Sequence, residues 1–305
     1  MPPETEAGTD HATGNLSVMP DKPKRRRRTR AEIEELREEI YNVCRHYQPL
    51  TVRQAFYRLV VLGFIEKTQR AYKNTLIPQM KKMREDGELP FDWIVDNTRL
   101  MRKPRSFVDL GDMLRQQQRF YRKNIWADQD VAVEIWCESD SAAGVLTAVT
   151  EEWDVPLMSA RGFSSITFLH QSAEMIAWRE VPTHIYYFGD HDPSGVHIDR
   201  NIHDGLVRYG ADGFTFERVA VTEEQIEELD LPGSPPKKTD SRSRGFNGDA
   251  VEIEAISPIE LRSICSACIT QHIDDDALER CRIVEQAELE TLQAIVERQA
   301  EDTAS

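Results

Sequence analysis

Hydrophobic residues recur at steps of three and four between residues 31 and 85, which is the spacing of amphipathic helices. The first helix is expected to begin after Thr29, because Thr29 and Glu32 have the spacing of a capping box, and to end before Pro49. A second capping box, formed by Thr51 and Gln54, predicts the start of another helix. The inward-facing positions are predicted to be Ile33, Leu36, Ile40, Val43, Val52, Phe56, Leu59 and Val60.

Gly63 is expected to end the second helix, and a third helical stretch covers roughly residues 69–85, with Pro78 disturbing its first half. A strand-like run follows at residues 91–95. Three helices, a turn and a strand predict a helix-turn-helix domain with a wing over residues 31–125, and its third helix carries a basic face that suits DNA. The alternative is an ordinary three-helix bundle with a solvated lysine-rich face. The residues of the basic face are Lys73, Lys81, Lys82 and Arg84.

From residue 129 onward, short apolar runs alternate with amphipathic segments. This alternation predicts an α/β fold over residues 126–305, with a mostly parallel sheet covered by helices on both faces. Ligands in such sheets bind at the carboxyl ends of the strands. The predicted strands are 131–137, 155–158, 184–188 and 215–219, and the predicted helices are 142–153, 164–178, 196–209, 258–272 and 274–300.

The net charge of -15 is divided unevenly along the chain. Residues 1–30 carry +3, residues 31–125 carry +5 and residues 126–305 carry -23. The N-terminal part can therefore attract phosphates, whereas the C-terminal part repels them unless its carboxylates bind cations. Residues 1–30 are predicted to be a disordered basic tail that either solubilises the protein or acts as a non-specific arm on nucleic acid.

The composition excludes several classes of protein. No run of about 18 apolar residues is present and the N-terminus lacks the apolar core of a signal peptide, so we expect a cytoplasmic protein without a membrane partner. Five cysteines in such a chain predict reduced thiols. Cys265 and Cys268 have CxxC spacing, for which buried helix positions and a zinc site are the two interpretations.

Three carboxylates follow predicted strands. Glu138 comes directly after the strand 131–137, and Asp190 and Asp192 follow the strand 184–188 in the segment GDHDPSG. If these strands are parallel neighbours, the carboxylates meet at one edge of the sheet and repel each other unless a cation compensates. Oxygen ligands on short loops are what Mg²⁺ prefers, with Mn²⁺ as an alternative. Glu134 points to the same face but lies deeper, so it is the poorer candidate.

These segments resemble a known family. ESDSAAG from Glu138 and YYFGDHDPSG from Tyr186 look like the two signatures of a Toprim domain, and GDHDPSG is similar to the version in the A subunit of topoisomerase VI and its meiotic double-strand-break relative. TVRQAFYRLV is similar to the winged-helix motif of that family, in which an arginine precedes the nucleophilic tyrosine by four residues. The resemblance covers about residues 31–285, including the turn RGF at residues 161–163 and the segments PPKKTDSR and VEIEAISPIELR.

The resemblance implies an enzyme that cleaves double-stranded DNA. Arg53 and Tyr57 take the places of the family's arginine and nucleophile, which implies a 5′-phosphotyrosyl link, and Glu138, Asp190 and Asp192 take the places of its Mg²⁺ ligands. The family also implies a homodimer that completes each site across two chains. Lys237 and Lys238, in a loop with four basic residues, are expected to add DNA contacts. We expect association with the nucleoid.

Two features limit the resemblance. The chain is short and looks like the reduced, stand-alone relatives of the A subunit, and it has no Gly-rich phosphate loop, so ATP-driven strand passage would need a separate B-type ATPase subunit. Tyr57 is expected beside the apolar stripe of its helix, about 100° from Phe56, with Arg53 one turn away. Two alternatives stay open: a Toprim nuclease that uses water as nucleophile, with a structural Tyr57, and a non-catalytic DNA-binding regulator.

Overall fold

The computed structural model describes residues 28–95, 106–159, 166–236, 246 and 248–304. Helix α1, Arg30–Tyr47, and helix α2, Val52–Val61, both begin at the predicted caps. At each cap the threonine side chain accepts from the backbone three residues on, and the Glu32 or Gln54 side chain accepts from the threonine amide. The two capping boxes are therefore confirmed.

The third helix, α3, is continuous but irregular. It consists of Gln69–Ala71, a π-helical segment Tyr72–Leu76 and the regular stretch Ile77–Glu85. Pro78 has no N–H to donate and would remove a hydrogen bond from a regular α-helix, and the π-helical turn directly precedes it. Leu76, Met80 and Met83, which recur at helical spacing, are buried, so this side of the helix faces the core.

The predicted strand at residues 91–95 is wrong. Phe91–Trp93 form a 3₁₀ turn after Pro90, and Ile94 makes only an isolated parallel bridge with Leu50. The bridge cannot extend into a ladder, because Leu50 is followed directly by Thr51, the cap residue of α2. The described residues of the N-terminal part therefore form a helical unit.

The C-terminal part is an α/β structure with a four-stranded sheet in the order β2-β1-β3-β4. The strands are β1, Ala132–Cys137; β2, Leu157–Ser159; β3, Thr183–Phe188; and β4, Phe214–Ala220. All three neighbouring pairs are parallel, as predicted. The first helices of this part are α4, Leu110–Phe120; α5, Asp140–Glu152; α6, Ile166–Ala177; and α7, Gly195–Arg208. The remaining ones are α8, Glu223–Glu228; α9, Pro258–Thr270; and α10, Asp275–Ala304.

Helices cover both faces of the sheet, as predicted. On one face Ile135 and Phe188 pack with buried residues of α5 and α9, and on the other Trp136 and Tyr187 pack with α6 and α7. Alternate residues of one strand thus enter two separate cores. Helices α4 and α8 are not among the predicted elements. None of the helices that the structure describes is both long and apolar enough to cross a membrane.

The helical unit packs directly on the α/β part. Its buried residues, including Leu50 and Leu59, belong to the same core as the α5–α9 face of the sheet. Arg262 of α9 donates to the carbonyl oxygens of Pro49 at 3.1 Å and Tyr47 at 3.3 Å. The segment Ile253–Ala255, a 3₁₀ turn before α9, lies against α2. This segment contacts both α2 and Asp190, and it therefore connects the helical unit to the candidate site.

Glu134 has a structural role. It is 1% exposed, its Oε1 lies 2.5 Å from Arg179 Nη1, and its Oε2 accepts from the Trp136 indole at 2.8 Å.

Arg179→Met should lower the free energy of unfolding by about 3 kcal/mol, because it leaves the buried charge of Glu134 without its partner. Arg30→Met breaks the exposed pair with Glu34 and should cost less than about 0.5 kcal/mol. Urea unfolding of both variants checks this, and equal losses would contradict it.

Candidate functional site

Glu138 and Asp190 meet at the carboxyl edge of the two central strands. Cys137 and Phe188 are register partners at the ends of β1 and β3, and the Glu138 amide donates to the Phe188 carbonyl at 2.8 Å. The Asp190 amide in turn donates to Glu138 Oε2 at 3.2 Å. The parallel pairing therefore brings together two of the three predicted carboxylates.

Asp192 is turned toward the start of helix α7. Its Oδ1 accepts from the amides of Ser194 at 2.8 Å and Gly195 at 2.6 Å, so this carboxylate binds the backbone just where the helix begins. Its charge still acts on Glu138. Asp190 and Asp192, although two residues apart, therefore have different partners.

Two further carboxylates lie at this edge of the sheet, and the sequence analysis did not assign them. Glu254 is 4% exposed and accepts from Ser139 Oγ at 2.8 Å, and Glu252 lies two residues earlier. Between them, the Ile253 amide donates to Asp190 Oδ1 at 2.9 Å. The alternating glutamates of VEIEA were the available signal, but only the tertiary packing of this segment against the loop after β3 places them near Asp190.

The crowding of negative charge changes the acidity of the site. Burial, followed by the charge of Glu254, raises the pKa of Asp190 from an ordinary 3.8 to about 8. Burial also raises the pKa of Glu138, against the hydrogen bond from the Asp190 amide. A bound cation would relieve this repulsion.

Without added metal, the protein should lose stability as the pH rises from about 4 to about 8. The folded state holds the Asp190 proton in this range and the unfolded chain has released it, so the free energy of unfolding falls by at most about 1.4 kcal/mol per pH unit. Asp190→Asn should flatten this part of the profile. Urea unfolding at intervals across the range measures both slopes, and identical profiles would contradict the shift.

The glycines of the loop after β3 serve the packing of the loop itself. A Cβ at Gly195 would collide with the Asp190 carbonyl oxygen, and one at Gly189 would meet the Tyr187 ring. Arg218 of β4 lies below this loop and donates to the carbonyl oxygens of Gly189 at 2.9 Å and Asp190 at 3.2 Å. Both glycines are therefore required by the close packing of protein atoms around them.

Arg53 and Tyr57 lie on α2, one turn apart, where it faces the segment Ile253–Ala255. Arg53 Nε lies 2.6 Å from Glu252 Oε2, and its Nη2 contacts the same oxygen. The negative charge of the Glu252 carboxylate also acts on the Tyr57 hydroxyl. The Arg53 guanidinium stands over the Tyr72 ring, 5.6 Å from its centroid. The expected proximity of Arg53 and Tyr57 is confirmed.

The expectation that Tyr57 lies beside the buried stripe is wrong. The residue is 4% exposed, because the segment around Glu252 covers the side of α2 that an isolated helical unit would leave open. Burial above all, and then the charge of Glu252, raises the pKa of the Tyr57 phenol well above its ordinary value. In this arrangement Tyr57 is protonated at neutral pH.

The predicted DNA-contacting residues of α3 have different surroundings. Lys73, Lys81 and Lys82 are exposed, and Lys81 Nζ lies 3.6 Å from Glu85. Arg84 is half-buried, with its guanidinium 4.6 Å from the centroid of the Phe91 ring. Lys237, Lys238 and the turn at 161–163 lie outside the described residues. The three lysines therefore form the accessible part of the basic face.

The site fits a hard cation by its donor chemistry. Carboxylate oxygens are the ligands that Mg²⁺ prefers, and burial together with neighbouring carboxylates raises the pKa values of Glu138 and Asp190. Among the residues that the structure describes, no three His, Cys, Asp or Glu side chains are arranged as a ready metal-binding group.

All five cysteines, including Cys265 and Cys268, are buried free thiols.

The comparisons with known proteins add no assignment. No family model matches the chain, and the search of curated proteins finds no similar sequence.

Proposed function

We propose that this protein cleaves double-stranded DNA in a Mg²⁺-dependent reaction in which Tyr57 attacks a backbone phosphate. The observation that supports this best is a short connection between two groups of residues. Glu252 pairs with Arg53 and its charge acts on Tyr57, and the next residue, Ile253, donates to Asp190 of the carboxylate pair at the sheet edge. A candidate nucleophile, a phosphate-binding cation and a cation-binding edge thus lie around one segment.

The proposed reaction gives each part of the fold a separate role. The helical unit within residues 31–125 would act as a winged-helix-type DNA-binding domain, and residues 126–305 would act as a Toprim domain of the topoisomerase VI A type. A parallel sheet with carboxylates after its two central strands supports the second assignment. A homodimer, a separate B-type ATPase subunit and association with the nucleoid are further expectations of the same proposal.

Each residue has a defined task in the proposed reaction. Arg53 would bind the scissile phosphate through two N–H groups and stabilise its charge, as guanidinium groups do with phosphate esters. The Tyr57 oxygen would form a bond to phosphorus while the bond to the 3′ oxygen breaks. The phenol proton would pass to solvent, and the 3′ oxygen would take up a proton from solvent and leave as a hydroxyl group. Glu138, Asp190 and Asp192 would hold Mg²⁺, which supplies charge stabilisation at the phosphate and the leaving oxygen.

A second candidate function is supported by the burial of Tyr57. A tyrosine with 4% exposure and a raised pKa is also what a structural residue shows, and water would then be the nucleophile at the same carboxylate edge. Both functions cleave DNA, but they differ in what remains on the broken ends.

One experiment separates the two functions. Supercoiled plasmid is incubated with the protein and Mg²⁺, the reaction is stopped with detergent, and the broken ends are analysed for attached protein with and without protease treatment. Ends that carry protein support the tyrosine mechanism, and free ends support the water mechanism. Intact plasmid under all conditions would contradict both.

A further inference from the structure

The Glu252 carboxylate lies beside both side chains that the proposed reaction assigns to the DNA phosphate. Arg53 contacts its Oε2 through Nε at 2.6 Å and through Nη2, and the negative charge of Glu252 raises the pKa of the Tyr57 phenol. A carboxylate and a phosphate diester are both anions that accept from the edge of a guanidinium group. They therefore compete for the same cation.

Glu252 also opposes the reaction by its charge. A carboxylate beside the Tyr57 hydroxyl disfavours the phenolate and repels an approaching phosphate. The covered position of Tyr57, with 4% exposure, leaves little room for DNA at its ring. The observed contacts are thus those of a resting arrangement.

We propose that the Glu252 contact holds Arg53 in a resting state and keeps a negative charge beside Tyr57, and that a DNA phosphate opens this state by replacing the carboxylate on Arg53. The inference rests on the proposed function, because that function supplies the phosphate. Glu252 is a positioning residue in this scheme, and it touches no reacting atom once the phosphate is bound.

A second cation is available to the displaced carboxylate. Lys67 Nζ lies 5.4 Å from the centroid of the Tyr57 ring and donates to the Pro232 carbonyl, and its charge interacts with Glu252. The movement would also be felt at the sheet edge, since the amide next to Glu252 donates to Asp190 at 2.9 Å. Opening of the contact therefore couples the arginine to the carboxylate pair.

The test measures DNA affinity in the absence of divalent metal, so that cleavage does not enter the result. The probe is a fluorescently labelled duplex oligonucleotide titrated with the full-length protein. Glu252→Gln should bind about threefold to tenfold more tightly than the wild type, because a partly exposed ion pair no longer competes with the phosphate. Glu88→Gln is the matched control, since Glu88 forms a partly exposed ion pair with Arg37 in the same helical unit. It should leave the affinity within about twofold.

The affinity gain must depend on Arg53. In an Arg53→Gln background, Glu252→Gln should produce no gain in DNA affinity. A gain that persists there would show that the effect comes only from the removal of one negative charge, and it would overturn the inference. Equal affinities of the Glu252→Gln and Glu88→Gln proteins would also overturn it. If neither the wild type nor Glu252→Gln binds DNA, the inference and the proposed function fail together. A gain without covalent cleavage supports the resting state and contradicts only the tyrosine mechanism.

A measurement on the wild-type protein makes the test independent of any folding defect in the variant. Addition of duplex DNA should speed hydrogen exchange of the peptide that contains residues 252–255, because release of Glu252 loosens the Ile253 contact with Asp190. Unchanged or slower exchange of this peptide under saturating DNA would overturn the resting state.

Discussion

Tyr57→Phe is expected to abolish covalent attachment of the protein to DNA and to reduce cleavage on the order of 10⁴-fold, while DNA binding persists. The substitution removes only the hydroxyl oxygen, which is the proposed nucleophile. The ring stays in the core beside Phe56, so the cost in stability is about 1 kcal/mol for the lost hydrogen bond. Plasmid cleavage with detection of protein-linked ends measures the first effect, and thermal unfolding measures the second.

Tyr72→Phe provides the matched control. Tyr72 lies in the same helical unit, half-buried, with the Arg53 guanidinium over its ring, and it is the other tyrosine that Arg53 contacts. The Tyr72→Phe protein should retain most of the cleavage activity, because it keeps the ring face under the Arg53 guanidinium and loses only the interaction of its hydroxyl with Arg53. If Tyr57→Phe cuts DNA at the wild-type rate and leaves free ends, water is the nucleophile and Tyr57 is a core residue.

The second large effect is expected at the sheet edge. Asp190→Asn combined with Asp192→Asn should abolish DNA cleavage and Mg²⁺ binding, because the remaining carboxylates lack the charge to hold the cation. Without metal, the same protein should be more resistant to urea at pH 8 than the wild type, since burial and Glu254 raise the pKa of Asp190 to about 8. Calorimetric titration with Mg²⁺ and urea unfolding measure these two effects independently of activity.

Glu217→Gln is the control for the loss of one negative charge from the sheet. Glu217 is exposed on β4, away from the loop after β3, and its variant should bind Mg²⁺ and cleave DNA as the wild type does. Undiminished Mg²⁺ binding by the Asp190→Asn, Asp192→Asn protein would refute the assignment of the metal ligands. Equal urea resistance at pH 8 would refute the account of the charge repulsion.

Local sequence signals determined much of the secondary structure. Thr29 and Thr51 cap their helices because each needs only a side chain three residues later, which is contained in a short stretch of sequence. The run 131–137 is also recognisable from a short stretch of sequence. A strand of a parallel sheet is apolar along its length, because its side chains enter cores on both faces of the sheet. The prediction of a strand at 91–95 was wrong because a strand needs a partner strand, and a short apolar run does not specify one.

The sequence by itself also predicted which carboxylates follow the central strands, because parallel strands of one sheet end at the same edge. Only the tertiary structure decided what surrounds them. Glu252 and Glu254 come from a segment more than 60 residues further along the chain. The packing of that segment against both the loop after β3 and α2 buries Tyr57 and pairs Arg53 with Glu252. A helical period describes the faces of one helix, whereas burial depends on every element that packs on it. The acidity of Asp190 and the resting contact of Arg53 are therefore properties of the assembled fold.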